Sequence, residues 1–376
     1  MNSSYIKFFI VLLLSLCFLS TSNATHIIGG SMSYACLGND EYRITIELYR
    51  DCFGGQASFD DPLRMRIYTG PNGNVPFGTT INVNLEYSED VPPNTGICAA
   101  TPGSICVERG IYKQVVTLPF NPDGYHVSYQ RCCRNNSISN LVNPQSSGAT
   151  YTVYISDEAQ QTCNNSPTFE DYPPIIVCAS EDVGFSHSAT DAEGDVLVYT
   201  FCAPFLGGSI SNPTPDALPP PYSQAIFLEP YTAGQPLGDM MTIDAVAGNI
   251  SGTPNALGQF VAGVCVEEYR VIDGVQTLLS LIKREFQLNV VMPVDVESPE
   301  LSDRVNIFPN PANDMIQIDI SENTNTNRIE IFDTLGKQIF SVHTDHSTQI
   351  IPVSEWTNGI YFVFVNGQSA GKSFNY

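Results

Sequence analysis

Short runs in which apolar and polar residues alternate recur along most of this 376-residue chain. From Tyr42 to Leu48 every second residue is apolar, and Arg43, Thr45 and Glu47 stand between them. A period of two places the apolar side chains on one face of a strand. Clusters of Gly, Pro, Asn and Asp separate the runs, as turns do in all-β domains. We therefore predict an all-β fold of packed β-sandwiches, and the same pattern recurs at Leu63–Ile67, Ile81–Leu85 and Tyr151–Ile155.

One segment has the spacing of a helix. Leu278–Phe286 reads LLSLIKREF, with apolar residues three and four apart. The segment is short and leads directly into the apolar run Phe286–Val291. We interpret it as part of a strand, because a helix of this length would be followed at once by a strand without a turn signal.

The body of the chain divides into two predicted units. Residues 25–160 form an N-terminal all-β domain, and residues 165–294 form a second β-sandwich that contains the proline-rich loop Asn212–Tyr222 (NPTPDALPPPY). A linker at residues 295–304 follows, and it overlaps the stretch Met292–Leu301 (MPVDVESPEL), which is rich in prolines and acids. Such segments commonly mark domain boundaries.

Two segments of the second unit carry a resemblance. They are His187–Phe201 (HSATDAEGDVLVYTF) and Ile243–Tyr269 (IDAVAGNISGTPNALGQFVAGVCVEEY). Both are similar to the cadherin-like and immunoglobulin-like modules of bacterial surface proteins, which implies an immunoglobulin-like sandwich here. His26–Cys52 and Tyr129–Leu141 resemble the N-terminal portions of large secreted gliding and adhesion-associated proteins. These resemblances imply a role in surface interaction.

The C-terminal stretch 305–376 combines three motifs in order. It opens with VNIFPNPANDMIQIDI, continues with RIEIFDTLGKQIF and closes with NGIYFVFVNG. Ile316, Ile318 and Ile320 alternate with polar residues, and the Asn-Gly pairs at 358–359 and 366–367 indicate tight turns. The order resembles the C-terminal sorting domain of type IX secretion cargo in Bacteroidota. The resemblance implies that the type IX secretion machinery is a partner and that the protein is secreted or held at the cell surface.

The N-terminal residues 1–24 have the layout of a secretory signal peptide. Lys7 is followed by an apolar run from Phe8 to Leu19 and by small residues up to Ala24. The run is shorter than the ~20 residues that a membrane-spanning helix needs. We predict cleavage after Ala24 and no transmembrane span.

The charge balance of the chain limits its partners. With 16 basic and 39 acidic residues, the formal net charge is −23. Nucleic acids and anionic lipid surfaces need clustered Lys and Arg, so neither is an expected partner. Acidity of this kind serves solubility or binds divalent cations.

Ten cysteines remain once Cys17 leaves with the signal peptide, and an even number in an exported chain predicts disulfides. Near-neighbour pairing would join Cys98 to Cys106, Cys163 to Cys178 and Cys202 to Cys265. Cys132 and Cys133 are adjacent, so a bond between them would close a strained ring. We expect each instead to reach a separate partner, with Cys36 and Cys52 as the candidates.

Three carboxylates, those of Asp191, Glu193 and Asp195, share one face if their segment is extended. Hard oxygen ligands at this spacing suit calcium, although the segment is not an EF-hand. The alternative is a solvated polar turn at Gly194. If calcium binds, further ligands would come from Glu181, Asp182 or Asp244. We predict no other cofactor.

No catalytic motif stands out in the sequence. The five histidines occur outside zinc-binding spacings, and no nucleophile elbow or phosphate-binding loop is present. His126 and Cys132 could pair only if that thiol were free, and we interpret the acid pairs Asp60-Asp61 and Glu267-Glu268 as solvated surface rather than a glycosidase pair. We therefore expect a non-enzymatic adhesin or surface-assembly component that binds an unidentified surface glycan or protein. The alternatives are a secreted hydrolase and a carbohydrate-binding protein, for which 18 tyrosines and 20 phenylalanines supply rings but Trp356 is the one tryptophan.

Overall fold

The computed structural model describes residues 27–52, 58–91, 106–238, 241–292, 305–321, 327–334, 337–366 and the backbone of 368–375. Strands make up 56% of the structure and helices 3%, which confirms the all-β prediction. The predicted signal peptide (1–24) and linker (295–304) lie outside the described residues.

Eighteen strands belong to the body of the protein. They are β1 (Ile27–Gly38), β2 (Glu41–Asp51), β3 (Leu63–Thr69), β4 (Val75–Pro76), β5 (Ile81–Val83), β6 (Leu85–Val91), β7 (Val107–Thr117), β8 (Tyr125–Arg131), β9 (Ala149–Ile155), β10 (Thr168–Phe169), β11 (Ile176–Cys178), β12 (Val183–Ser186), β13 (Ala189–Thr190), β14 (Val196–Phe201), β15 (Met241–Ile243), β16 (Asn249–Gly252), β17 (Gly258–Ile272) and β18 (Val275–Val291).

Helical structure in the body is confined to two short pieces among the described residues. A 3-10 turn covers Pro144–Ser146, and helix α1 covers Asp157–Thr162. The Ser156 side chain accepts a hydrogen bond from the Ala159 amide and so begins α1 with an N-cap. Cys163 ends the helix in the left-handed region.

Thirteen strands hydrogen-bond in one sheet, in the order β4-β3-β8-β9-β18-β1-β2-β7-β6. Strand β5 pairs with β3, β11 and β17 pair with β18, and β14 pairs with β17. The long strand β18 is antiparallel to β17, β9 and β1 and parallel to β11. Strands on both sides of residues 160–165 therefore share this sheet, although the sequence pattern separates two units there. Small sheets β10-β13 and β12-β16-β15 complete the body.

The main hydrophobic core also draws on both halves of the body. Ile44 and Val127 from the first half and Phe260 and Phe286 from the second belong to one buried cluster. Gly29 permits the close approach of β1 to β18, because a Cβ there would clash with the Glu285 carbonyl. Because residues from both halves pack in one core, each half needs the other to bury its apolar side chains.

Strand β18 confirms the interpretation of Leu278–Phe286 as β. Its charged triplet, Lys283-Arg284-Glu285, is buried within the sheet. Arg134 forms a two-pronged ion pair with Glu285, with nitrogen–oxygen distances of 2.7 and 2.6 Å. Buried charges are tolerated when they are paired in this way.

Seven further strands form the C-terminal unit: β19 (Val305–Phe308), β20 (Met315–Ile320), β21 (Asn327–Asp333), β22 (Gln338–Thr344), β23 (Thr348–Pro352), β24 (Ile360–Val365) and β25 (Gln368–Asn375). A three-stranded sheet, β19-β20-β23, and a four-stranded sheet, β22-β21-β24-β25, enclose a separate core. Ile316, Ile318 and Ile320 are buried in it, as their alternation predicts.

All nine cysteines within the described residues are disulfide-bonded, in agreement with the predicted oxidised state. The bonds include Cys36–Cys163, Cys52–Cys106, Cys132–Cys133 and Cys202–Cys265. Cys178 is also bonded, and Cys98 lies outside the described residues.

Most of the near-neighbour pairings predicted from sequence are wrong. Cys106 bonds Cys52 rather than Cys98, because the antiparallel β2–β7 pair ends at Asp51 opposite Val107. Cys163 bonds Cys36 rather than Cys178, since the end of α1 lies against β1.

The adjacent Cys132 and Cys133 bond each other, against the prediction of separate partners. Cys202–Cys265 is predicted correctly, and it joins the residue that follows β14 to the neighbouring strand β17.

Candidate cation site

The predicted acidic triplet lies in the loop that connects β13 to β14. Gly194 adopts a φ of +81°, which favours glycine and lets this loop turn within five residues. The amide of Asp195 donates a 2.6 Å hydrogen bond to Oδ1 of Asp191. The turn therefore gathers the carboxylates of Asp191, Glu193 and Asp195 in one place.

A fourth carboxylate joins them from the neighbouring strand. This residue is Glu268 on β17. One carboxyl oxygen from each of the four residues can be chosen so that all four oxygens lie within 4.8 Å of one another. We call Asp191, Glu193, Asp195 and Glu268 the carboxylate cluster. Leu197 in β14 stands opposite Glu268 in the sheet, so strand pairing brings the loop beside it.

Glu268 is the buried member of the carboxylate cluster, with no exposed surface. Its Oε1 accepts a 2.6 Å hydrogen bond from Asn164, and its Oε2 accepts one from Ser280. Burial raises the pKa of Glu268 to about 8, the nearby charge of Asp191 raises it further, and the hydrogen bonds from Ser280 and Asn164 oppose this change.

The segment after helix α1 forms the third side of the site. Asn165 donates a 2.5 Å hydrogen bond to Glu193 and accepts one of 3.0 Å from the Cys36 amide. The Cys36–Cys163 disulfide fixes this segment to β1. The site is thus assembled from a loop, a strand and a helix end that are far apart in sequence.

Arg270 supplies a positive charge at the edge of the carboxylate cluster. Its guanidinium pairs with both oxygens of Asp195, with a 2.7 Å Nε–Oδ1 distance. It also donates a 2.7 Å hydrogen bond to Asn164. One guanidinium beside four carboxyl groups leaves an excess of acidic oxygen.

Two polar atoms at the site lack a well-formed hydrogen bond to any described residue. One is Oδ2 of Asp191, which has almost no accessible surface, and the other is the hydroxyl of Tyr34. Tyr34 is 3% exposed. Burial raises its pKa first, followed by the charge of Glu268, while a contact with Asn164 lowers it. The hydroxyl therefore lies close enough to interact electrostatically with the carboxylate cluster.

The other predicted ligands lie elsewhere in the part of the chain that the structure describes. Asp182 accepts a hydrogen bond from Thr253, and Asp244 accepts two from the backbone amides of Val246 and Ala247. Neither they nor Glu181 belongs to the carboxylate cluster.

Sequence reasoning missed Glu268 by treating Glu267-Glu268 as solvated surface. The signal was available, since Glu268 continues the inward phase of Val264 and Val266 along β17. A period-two pattern places such a residue in the core whether or not it is apolar.

A catalytic pair of His126 and Cys132 would need a free thiol, and Cys132 is disulfide-bonded. Burial lowers the pKa of His126 to about 4, and its ring packs 4.6 Å from that of Tyr154. His187 is buried between Phe169 and Phe286, and burial holds its pKa well below the usual range. Contrary to the interpretation of Asp60 as solvated surface, its side chain is largely buried: it accepts a 2.8 Å hydrogen bond from Tyr129 and pairs with Arg131.

A pocket lies beside the proline-rich loop. This pocket of about 500 Å³ is bordered by Gln130, Leu218 and the 2.7 Å ion pair between Arg64 and Asp216. Aromatic side chains are absent from its lining among the described residues. Sugar-stacking platforms need such rings, so the pocket offers no platform of that kind.

Membrane and family comparisons bear on the location of the protein. Within the described ranges, no helix is both long and apolar enough to cross a bilayer. No curated protein matches the chain. Residues 306–374 match the family model of the secretion system C-terminal sorting domain. This match confirms the sequence prediction, and the protein is a type IX secretion cargo that carries its sorting domain in the two-sheet C-terminal unit.

Proposed function

We propose that this protein is a non-enzymatic adhesin or a component of a surface assembly. The sorting domain at residues 306–374 carries the proposal, because it marks a secreted or cell-surface protein that interacts with the type IX secretion machinery. The body attached to it is a disulfide-bonded β-structure, a stable form for a binding protein outside the cell.

The use of the buried polar groups supports a structural and binding role. Arg134, Glu285 and Asn140 hold the segment after β8 against the sheet through buried hydrogen bonds. His187 is enclosed by aromatic rings, and Cys132 has no free thiol. These polar and sulfur-containing side chains hold the fold together.

The alternatives of a hydrolase and a carbohydrate-binding protein have less support. Trp356, the one tryptophan of the chain, packs on Tyr361 in the sorting domain, with ring centroids 5.0 Å apart. The pocket beside the proline-rich loop lacks lining aromatics among the residues described. We therefore propose a protein surface or an extended glycan, rather than a small sugar, as the ligand.

The test compares a deletion strain with its parent and assays the exported protein directly. We expect the deletion strain to adhere less well, and the purified protein to bind a surface in the absence of turnover. A matched strain that produces the protein without residues 305–376 controls for export. Turnover of peptide or glycosidic substrates by the purified protein would contradict the proposal, as would unchanged adhesion of the deletion strain.

A further inference from the structure

Four carboxyl groups lie where the β13–β14 loop contacts β17, together with two buried polar atoms that lack a well-formed hydrogen bond to any described residue. We propose that the carboxylate cluster of Asp191, Glu193, Asp195 and Glu268 binds one calcium ion that ties this loop to the central sheet. The proposal does not depend on adhesion, because it concerns only a metal site in the body.

The spacing of the oxygens fits a single ion. Calcium takes oxygen ligands at about 2.3–2.6 Å, so two ligands on opposite sides of the ion lie about 5 Å apart. All four oxygens of the cluster lie within 4.8 Å of one another. One ion can therefore contact the whole set with only small adjustments.

The unpartnered atoms provide an independent observation. Buried polar groups are normally hydrogen-bonded, and each exception calls for a partner. Oδ2 of Asp191 and the hydroxyl of Tyr34, a side chain only 3% exposed, both lack a well-formed hydrogen bond among the described residues. Asp191 Oδ2 would ligate the ion directly, and the Tyr34 hydroxyl would bind a water of its coordination sphere.

The donor set selects calcium over other divalent ions. Histidine and cysteine are absent from the carboxylate cluster, which disfavours zinc. Magnesium demands shorter, near-ideal octahedral bonds and usually keeps several waters with one or two carboxylates. Four carboxylates from a loop and a strand, with irregular spacing, suit the larger and more tolerant ion.

In the metal-free protein, Arg270 neutralises part of the negative charge of the carboxylate cluster, since it pairs with Asp195. Its side chain is 25% exposed, so it can swing toward solvent when the ion binds. Competition between the guanidinium and calcium would weaken binding. We therefore expect a dissociation constant of about 10⁻⁴ to 10⁻³ M, the range of extracellular calcium modules.

The test titrates the mature, oxidised full chain with calcium chloride after chelator treatment, by calorimetry and by thermal unfolding. We expect one ion per chain, a melting temperature that rises with calcium concentration, and little response to magnesium at equal ionic strength. Asp191→Asn and Glu268→Gln should each weaken binding at least tenfold. Glu181→Gln, a change of an acidic residue outside the carboxylate cluster, should bind like the wild type.

Terbium provides a second measurement that does not depend on stability. Terbium(III) prefers the same oxygen ligands, and a nearby tyrosine sensitises its luminescence. We expect luminescence that calcium abolishes and that Tyr34→Phe reduces. The proposal is overturned if calcium binds without saturation up to about ten times the range of extracellular modules. It is equally overturned if the Asp191→Asn and wild-type titrations coincide.

Discussion

At the scale of single residues, the Arg134–Glu285 pair is a buried ion pair whose loss should destabilise the body. The two side chains are 1% and 4% exposed, and Arg134 also donates to the carbonyls of Gly148 and Phe205. Replacing Arg134 with Met would remove the hydrogen-bonded ion-pair partner of the buried Glu285 carboxylate. We expect this change to lower the free energy of unfolding by about 3–5 kcal/mol.

Urea denaturation with the disulfides intact would measure the loss. Arg64→Met is the matched control, because the Arg64–Asp216 pair is about half exposed and such pairs contribute at most about 1 kcal/mol. Equal losses in the two variants would show that the buried pair has no special role.

His126 makes stability depend on pH in the mildly acidic range. Burial lowers its folded-state pKa from 6.5 to about 4. Between these values the unfolded chain binds a proton that the folded chain does not, so stability falls as the pH falls from 6.5 toward 4. We expect His126→Gln to remove about 1–2 kcal/mol of the loss between pH 6.5 and 5.

Denaturation of both proteins at several pH values would measure the difference. His187 remains in the variant and contributes a similar dependence, so part of the slope should persist. Parallel pH profiles for His126→Gln and the wild type would contradict the assignment to His126.

The sequence predicts three of the four cluster carboxylates because they are close together along the chain. Glu268 and Asn164 are 104 positions apart in the sequence. Strand pairing and a disulfide bring them together, and neither the register nor the disulfide partner is encoded in local spacing. Non-local sites of this kind are therefore visible only once the sheet is assembled.

At the scale of elements, the bond between Cys132 and Cys133 follows directly after β8. Both residues are buried, and the Cys132 amide donates to the Pro213 carbonyl in the proline-rich loop. Cys36 bonds Cys163 and Cys52 bonds Cys106. Cys132 and Cys133 bond each other.

Peptide mapping of the non-reduced protein tests this connectivity. We expect the peptide that contains Cys132 and Cys133 to migrate alone and to gain the mass of two hydrogen atoms on reduction. Cys202–Cys265 serves as a control, since it should link two peptides in the same digest. A cross-link from either adjacent cysteine to Cys36 or Cys52 would contradict the structure.

Strand β18 shows which features the local sequence pattern predicts and which it does not. The run from Leu278 to Phe286 predicts a strand, because it continues into an apolar segment without a turn. The burial of Lys283, Arg284 and Glu285 could not be predicted from that run, since it depends on partners such as Arg134 and the Ala203 carbonyl. Tertiary contacts override the usual preference of charged residues for solvent.

At the scale of the whole molecule, two separate cores distinguish the body from the sorting domain. One buried cluster lies within residues 27–290, and another within residues 305–365. The C-terminal unit was predictable because its motifs are contiguous in sequence. The sequence did not predict that one sheet includes strands from both sides of residues 160–165. That sheet depends on the pairing of β18 with β1 and β9, which lie more than a hundred residues away in the sequence.

The separate cores lead to a prediction about export. Deleting residues 305–376 should leave a folded, oxidised body that accumulates in the periplasm, because the predicted signal peptide carries it only across the inner membrane. Fusing residues 292–376 to a periplasmic fluorescent protein should send the fusion to the cell surface or the medium. Cell fractionation and immunoblotting of a type IX secretion host would measure both outcomes.

A fusion with the same tail in scrambled order controls for length and composition. Normal release of the deletion protein would contradict the sorting role, because the body would then reach the outside without residues 306–374.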